Sequence, residues 1–140
     1  MAENSTAKQV VEKMMSIDWF SQWLGISVIN ITEGKCKLKM KVRKEMLNGF
    51  AIAHGGITYS LADSALAFAS NSHGRKAVSI ETSISHTVSL IEGDVIIADA
   101  EVVSLKEKIA IYNITVKKED GIIVALFKGT VYRTSKVWDV

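Results

Sequence analysis

From Gly55 to Asn71 apolar residues recur at helical spacing, and Asp63 is the one charged side chain in the stretch. Ile57, Leu61, Ala65, Leu66, Phe68 and Ala69 fall on one broad arc of a helical wheel. Such a helix needs its arc covered by another element. The remainder of the chain offers one that is large enough. From Ala77 onward the apolar period drops to two, the period of a strand. Residues 78–88, 95–105, 109–116 and 122–133 are predicted strands, with Glu92-Gly93-Asp94 and Glu119-Asp120-Gly121 as turns. A long helix followed by antiparallel strands predicts an α+β fold, with the sheet covering the helix.

The first third adds smaller pieces. Residues 6–16 are predicted helical, with Val10, Val11, Met14 and Met15 forming a stripe. Residues 18–24 hold Trp19, Phe20 and Trp23, which suit a short helix or a lid packed in a core or interface. Residues 25–32 and 35–43 form a predicted hairpin turning at Glu33-Gly34. In its second strand Cys36, Leu38, Met40 and Val42 alternate with Lys35, Lys37, Lys39, Lys41 and Arg43. The basic side reads as a wet face that discourages edge pairing. Residues 48–53 form a loop, Gly74 suits the left-handed stop of the long helix, and residues 134–140 are expected to fray.

Composition narrows the function classes. A chain of 140 residues with 48% hydrophobic content fits one domain, residues 1–140, with its own core. A net charge of +2 gives no footprint for nucleic acid. No apolar run approaches the roughly 20 residues of a membrane helix, and no leader pattern precedes the first charges, so a cytoplasmic protein is expected. The lone Cys36 forms no internal disulfide and offers no metal-ligand spacing; it reads as a small buried hydrophobe.

The long helix carries the candidate chemistry. His54-Gly55-Gly56 stands at its start, where backbone N–H groups lack partners and a partial positive charge gathers. Two glycines let a substrate approach that backbone closely. The arrangement can polarise a carbonyl and hold a developing oxyanion, although it also fits a plain glycine turn capped by His54. Asp63 shares a face with Gly56, Ser60, Ala67 and Ser70. That face lacks the lysines and glutamates of a solvated surface, so Asp63 becomes a candidate shielded base or nucleophile. Gly55 and Asp63 are about 12 Å apart along a helix. A base has to come within roughly 3 Å of its proton, or act through one water. If both groups are catalytic, they belong to different sites, each shared by two chains with antiparallel helices. A twofold dimer is then obligatory.

Leu47-Asn48-Gly49-Phe50, His54-Gly55-Gly56, Ser60-Leu61-Ala62-Asp63 and Ala69-Ser70-Asn71-Ser72 closely resemble the PaaI-like acyl-CoA thioesterases of the phenylacetate pathway. The resemblance spans residues 24–133. It implies a hotdog fold, a curled antiparallel sheet around one central helix, here with an extra N-terminal helix. It implies hydrolysis of acyl-CoA thioesters such as phenylacetyl- and hydroxyphenylacetyl-CoA. Asp63 would act as general base or nucleophile, the Gly55 N–H would polarise the carbonyl, and Asn48 and His54 would orient water, substrate or leaving thiolate. Gly56, Ser64 and Ser79 would lie beside the substrate. Dimers would pair into tetramers, with no metal and no cofactor beyond the CoA of the substrate. Trp19, Phe20 and Trp23 would border the acyl pocket. The chain departs from the family at Ser85-His86-Thr87-Val88-Ser89-Leu90 and Leu105-Lys106-Glu107-Lys108, which lack the usual arginines. Lys106 and Lys108, or Arg75 and Lys76, would then meet the CoA phosphates. Two other readings of the same fold are a hydroxyacyl-thioester dehydratase and a non-catalytic acyl-CoA-binding module.

Overall fold

The computed structural model describes residues 5–140. Two short helices open it, α1 (Thr6–Ile17) and α2 (Trp19–Leu24). Ser5 starts α1 by accepting a hydrogen bond from the Lys8 N–H, and Asp18 starts α2 by accepting one from Ser21. Gly25, at φ 74°, stops α2 in the left-handed conformation that glycine adopts without strain. The hairpin β1 (Ser27–Thr32) and β2 (Lys35–Lys41) follows, then the central helix α3 (Gly55–Asn71). Four strands complete the chain: β3 (Arg75–His86), β4 (Val95–Leu105), β5 (Ile109–Lys118) and β6 (Ile123–Val137).

The strands form one sheet in the order β1-β2-β4-β5-β6-β3, and every pairing is antiparallel. This is the α+β hotdog architecture expected from the sequence, with α3 lying against β2 to β6. Leu61, Ala62, Ala65, Leu66, Phe68 and Ala69 of α3 are all buried at 1% exposure or less. They meet the inward faces of the strands, among them Leu38, Met40, Ile96, Tyr112, Ile114 and Phe127. Gly129 of β6 is what lets α3 sit so close. A Cβ there would overlap the Leu66 side chain.

Several expectations change. Residues 134–140 are not frayed. Strand β6 runs to Val137, the Trp138 N–H donates to the Gly74 carbonyl, and the Trp138 indole donates to Asn71 Oδ1 at 2.9 Å. The polar make-up of the tail hides these anchors. The basic strand β2 is not an edge; it lies between β1 and β4, and its lysines pair across the sheet, Lys37 with Asp99 and Lys39 with Glu119. Trp19, Phe20 and Trp23 do not enter the core, being 70%, 54% and 51% exposed. Cys36 matches its expectation: it is buried, and burial pushes its thiol up to about 12. Among the described residues no helix is long and apolar enough to cross a membrane.

Replacing Gly129 with alanine forces the added methyl against Leu66. Overpacking of this kind costs about 1–3 kcal/mol. Urea unfolding of Gly129→Ala is expected to show that loss, and an unchanged midpoint would contradict the close approach.

Candidate active site

The start of α3 is built by His54. Its backbone is extended, at φ −60° and ψ 136°, and its ring Nδ1 accepts the Gly56 N–H at 2.9 Å. This makes His54 the helix N-cap and settles its tautomer: with Nδ1 accepting, the neutral ring carries its proton on Nε2. The ring is exposed, so Nε2–H is a donor facing outward. The Gly56 N–H is therefore occupied. The Ile57 N–H goes to the His54 carbonyl. Among the described residues the Gly55 N–H meets no acceptor, which leaves it the open donor of the first turn.

Two features hold this turn in place. The His86 ring lies beside it, with Nε2–H donating to the Gly55 carbonyl at 3.1 Å. A Cβ on Gly55 would stand 3.3 Å from His86 Cε1, so glycine keeps the space between ring and backbone. The preceding loop is held by Asn48, whose Oδ1 accepts the Phe50 N–H at 2.8 Å and the Ile52 N–H at 3.4 Å. Its carbonyl side is committed to the loop, and among the described residues its amide NH2 meets no acceptor. Ala51 in the same loop has φ 60°, a left-handed conformation that costs a non-glycine residue about 1 kcal/mol. The structure thus gathers Asn48, His54, Gly55 and His86 at one end of α3. Sequence reasoning missed the place of His86, although it stands where the strand departs from the family pattern.

Asp63 stands two turns along, half-buried on the rim of a cavity of about 410 Å³. The cavity runs between α3 and the first residues of β3, with Met14 of α1 on one side. Ser79 also lines it, at a bulge in the pairing of β3 with β6 between Ser79 and Glu81. Bulges of this kind re-aim side chains next to sites. Desolvation raises the Asp63 pKa above the usual carboxylate value, and the Asp18 carboxylate adds to the effect. Asp18 is held there by Ser21, whose hydroxyl donates to Asp18 Oδ2 and shares a 2.8 Å hydrogen bond with Ser64. Ser64, expected beside the substrate, is buried and ties α2 to α3; it does not line the Asp63 cavity. Ser70, expected to share the shielded face of Asp63, is buried and donates to the Ala67 carbonyl.

The basic residues separate into two groups. Arg75 is consumed by the fold, donating to the carbonyls of Thr134, Glu107 and Arg133. Lys106 and Lys108 stand exposed in the turn between β4 and β5. Lys76 lies 4.9 Å from the Trp138 ring centroid at the cavity. A larger opening of about 1160 Å³ lies between α1 and β1. Its carboxylates Glu12 and Glu33 are exposed, and its His73 is already committed to Tyr112 and Glu33. Size therefore points there while the chemistry points to Asp63, and a shielded carboxylate is the stronger mark of a site. Among the described residues no group of three His, Cys, Asp or Glu could hold a metal ion.

A protonated Asp63 suits the folded chain better than an ionised one. Its contribution to stability is complete below the unfolded carboxylate pKa and is lost as pH rises through the raised folded value. Asp63→Asn removes this loss. The variant is expected to melt above wild type at pH 8. The gap should narrow toward pH 4. Equal melting temperatures across that range in calorimetry would contradict the strained carboxylate.

The chain is similar to known proteins over most of its length. Residues 50–125 match the thioesterase superfamily family model. A protein of Archaeoglobus fulgidus is 43% identical over 138 residues, covering 94% of this chain and 90% of its own. Acyl-coenzyme A thioesterase PaaI of Escherichia coli is 35% identical over 127 residues, 91% of each chain. The structure of E. coli PaaI, from the phenylacetic acid degradation operon, superposes with a TM-score of 0.92, covering 94% of this chain and 96% of that one at 34% identity. A Streptococcus mutans protein solved bound to acetyl CoA is 26% identical with a TM-score of 0.78, covering 81% of this chain and 91% of that one. The chain belongs to the thioesterase superfamily, and its hotdog fold is that of the PaaI-like acyl-CoA thioesterases it resembles.

Proposed function

We propose that the chain hydrolyses acyl-CoA thioesters to free acid and CoA, at active sites each shared by two copies. The carrying observation is the division of α3. An open Gly55 N–H stands at its start, and a shielded carboxylate stands about 12 Å further on. Neither can serve the other within one chain. The free edge of β3 supplies the second copy. This edge has Val78 and Ile80 exposed at 57% and 59%. An unpaired apolar edge is a template for another strand. Antiparallel pairing of two such edges sets the two α3 helices antiparallel and brings Gly55 of one chain toward the partner's Asp63.

The chemistry follows from these groups. The Gly55 N–H donates to the thioester carbonyl oxygen and to the oxyanion that develops on it. The Asp63 carboxylate takes a proton from water as the water oxygen bonds to the carbonyl carbon. The tetrahedral species then expels the CoA thiolate, breaking the C–S bond, and the thiolate takes up a proton. In the other route the carboxylate attacks the carbon itself and water cleaves the resulting anhydride. A raised Asp63 pKa favours the base role, because a base poised nearer neutrality holds a proton better. In this reading the Nε2–H of His54 and the free amide of Asn48 orient the carbonyl or the leaving sulfur. Lys106 and Lys108 suit the phosphates of CoA as mobile point charges.

Phenylacetyl-CoA, hydroxyphenylacetyl-CoA and medium-chain acyl-CoA are the substrates this reading names first. It draws on the operon of E. coli PaaI for the aryl group and on the acetyl CoA of the S. mutans structure for the carrier. It needs no cofactor, since CoA enters with the substrate. It carries a cytoplasmic location, where CoA esters are made and used, and a pairing of dimers into tetramers that light scattering reads directly.

Release of free CoA, followed with a thiol reagent, tests the activity. Asp63→Asn is expected to lose at least about a hundredfold in kcat, the usual minimum for a positioned acid–base group. A wild-type chain that releases no thiol from phenylacetyl-, benzoyl- or medium-chain acyl-CoA ends the enzyme reading. The shared site has its own check. Asp63→Asn chains and Gly55→Val chains, each inactive alone, are expected to regain activity when unfolded and refolded together. Mixed dimers as inactive as their parents would overturn the shared site, because the helix rise already keeps the two groups apart within one chain.

A further inference from the structure

Asn71 and Trp138 belong to no part of the chemistry above, yet both line the cavity at Asp63. Asn71 is 3% exposed and uses all its hydrogen-bonding capacity. Its Nδ2 donates to the carbonyls of Ala67 and Ala77, and its Oδ1 accepts the Ala77 N–H and the Trp138 indole N–H. One amide thus joins the end of α3, the start of β3 and the C-terminal tail. Trp138 is held a second time through its backbone N–H on Gly74, and Lys76 rides over its ring. A tryptophan in a terminal segment has no reason to be fastened at so many points unless its position matters.

The order of residues gives the cavity a direction. Of the lining residues, Asp63 on α3 and Ser79 on β3 are the ones furthest along the chain from the turn that joins the two elements. Along α3 the floor passes Leu66 and Ala67 and reaches Asn71 eight residues on, about 12 Å away. Along β3 the wall passes Val78 and Ala77 and reaches Lys76. Trp138 stands at that far end, against Asn71 and Lys76. The stretch between is apolar, walled by Met14, Leu66, Ala67 and Val78. A volume of about 410 Å³ lies in the lower part of the range of small-molecule pockets.

We propose that Trp138, fastened by Asn71, forms the blind end of the acyl pocket and sets the upper limit on the acyl group the chain accepts. The inference rests on the thioesterase reading, in which the reacting carbonyl lies at Asp63. The acyl group then points away from Asp63 along the apolar floor and stops against the indole. Aryl and medium-chain groups fit between them, and long unbranched chains do not. The rigid indole also offers a ring edge and face to an aromatic acyl group, which a flexible side chain would not.

The test compares kcat/KM for phenylacetyl-, octanoyl- and palmitoyl-CoA in wild type and in Trp138→Phe, Trp138→Leu and Trp138→Ala. Removing a wall opens room for several methylenes, each able to change selectivity by about tenfold or more in an apolar pocket. The palmitoyl to phenylacetyl ratio is expected to rise in the order Phe, Leu, Ala, by about tenfold or more for alanine. Trp138→Phe keeps a ring at the wall, so the Phe-to-Leu step still decides the matter if the alanine variant does not fold. Losses that are equal for all three substrates would overturn the inference, because they would give Trp138 a structural role alone. An active wild type whose ratio ignores residue 138 overturns the inference but leaves the activity standing. A wild type inert on every acyl-CoA removes both.

Discussion

Everything in this chain is arranged around the contact of α3 with the hollow of the sheet. Leu66 presses onto β6 where Gly129 gives up its side chain, and Leu61, Ala65 and Phe68 continue the seam. A helix so deeply covered has little perimeter left. What remains is its first turn, ending the loop from Asn48, and the narrow strip holding Asp63. The fold thus decides where chemistry can occur before any catalytic residue is chosen. A helix start is electropositive and rich in unpaired donors. A strip between helix and strand is poorly hydrated. The open Gly55 N–H and the half-buried Asp63 carboxylate therefore belong to different parts of one element, and its rigidity keeps them apart.

Asp63 shows the cost of this arrangement. Burial and the Asp18 carboxylate both disfavour its ionised form. A sequence selected for stability alone would place a neutral side chain there. The surroundings could have supplied a lysine or arginine to relieve it, and the face of Ser60, Ala67 and Gly56 offers neither. Asp18 is instead held in place by the Ser21–Ser64 hydrogen bonds, so the unfavourable neighbour is itself anchored. Local destabilisation fixed by surrounding structure is a recurring property of sites that do chemistry.

The central elements are plain in the sequence and the periphery is obscure. The helix Gly55–Asn71 is readable to the residue because its glycines, its period and Gly74 all agree. Strand β4 is equally plain, lying between a Glu-Gly-Asp turn and a lysine-rich one. The tail is not legible, because Thr134, Ser135 and Lys136 carry no apolar alternation; its order comes from Asn71 and Gly74, more than sixty residues earlier in the chain. The aromatics of α2 mislead for the opposite reason. Trp19, Phe20 and Trp23 look like core by composition, but a six-residue helix has only one inward face, and Ser21 and Leu24 occupy it. Of the candidate site residues, motif and spacing single out Asn48, His54, Gly55 and Asp63. Only the folded chain adds which N–H is free, which histidine tautomer is present, and that Ser64 faces Ser21.

The fastening of Trp138 has a practical corollary for anyone handling this chain. The last residues of a protein are usually treated as the natural place for an affinity tag or a trimmed end. Here they reach back past the end of the central helix to the rim of the Asp63 cavity. A chain cut after Arg133 would lose the pairing of Arg75 with Val137 and, with Trp138, a wall of its own cavity.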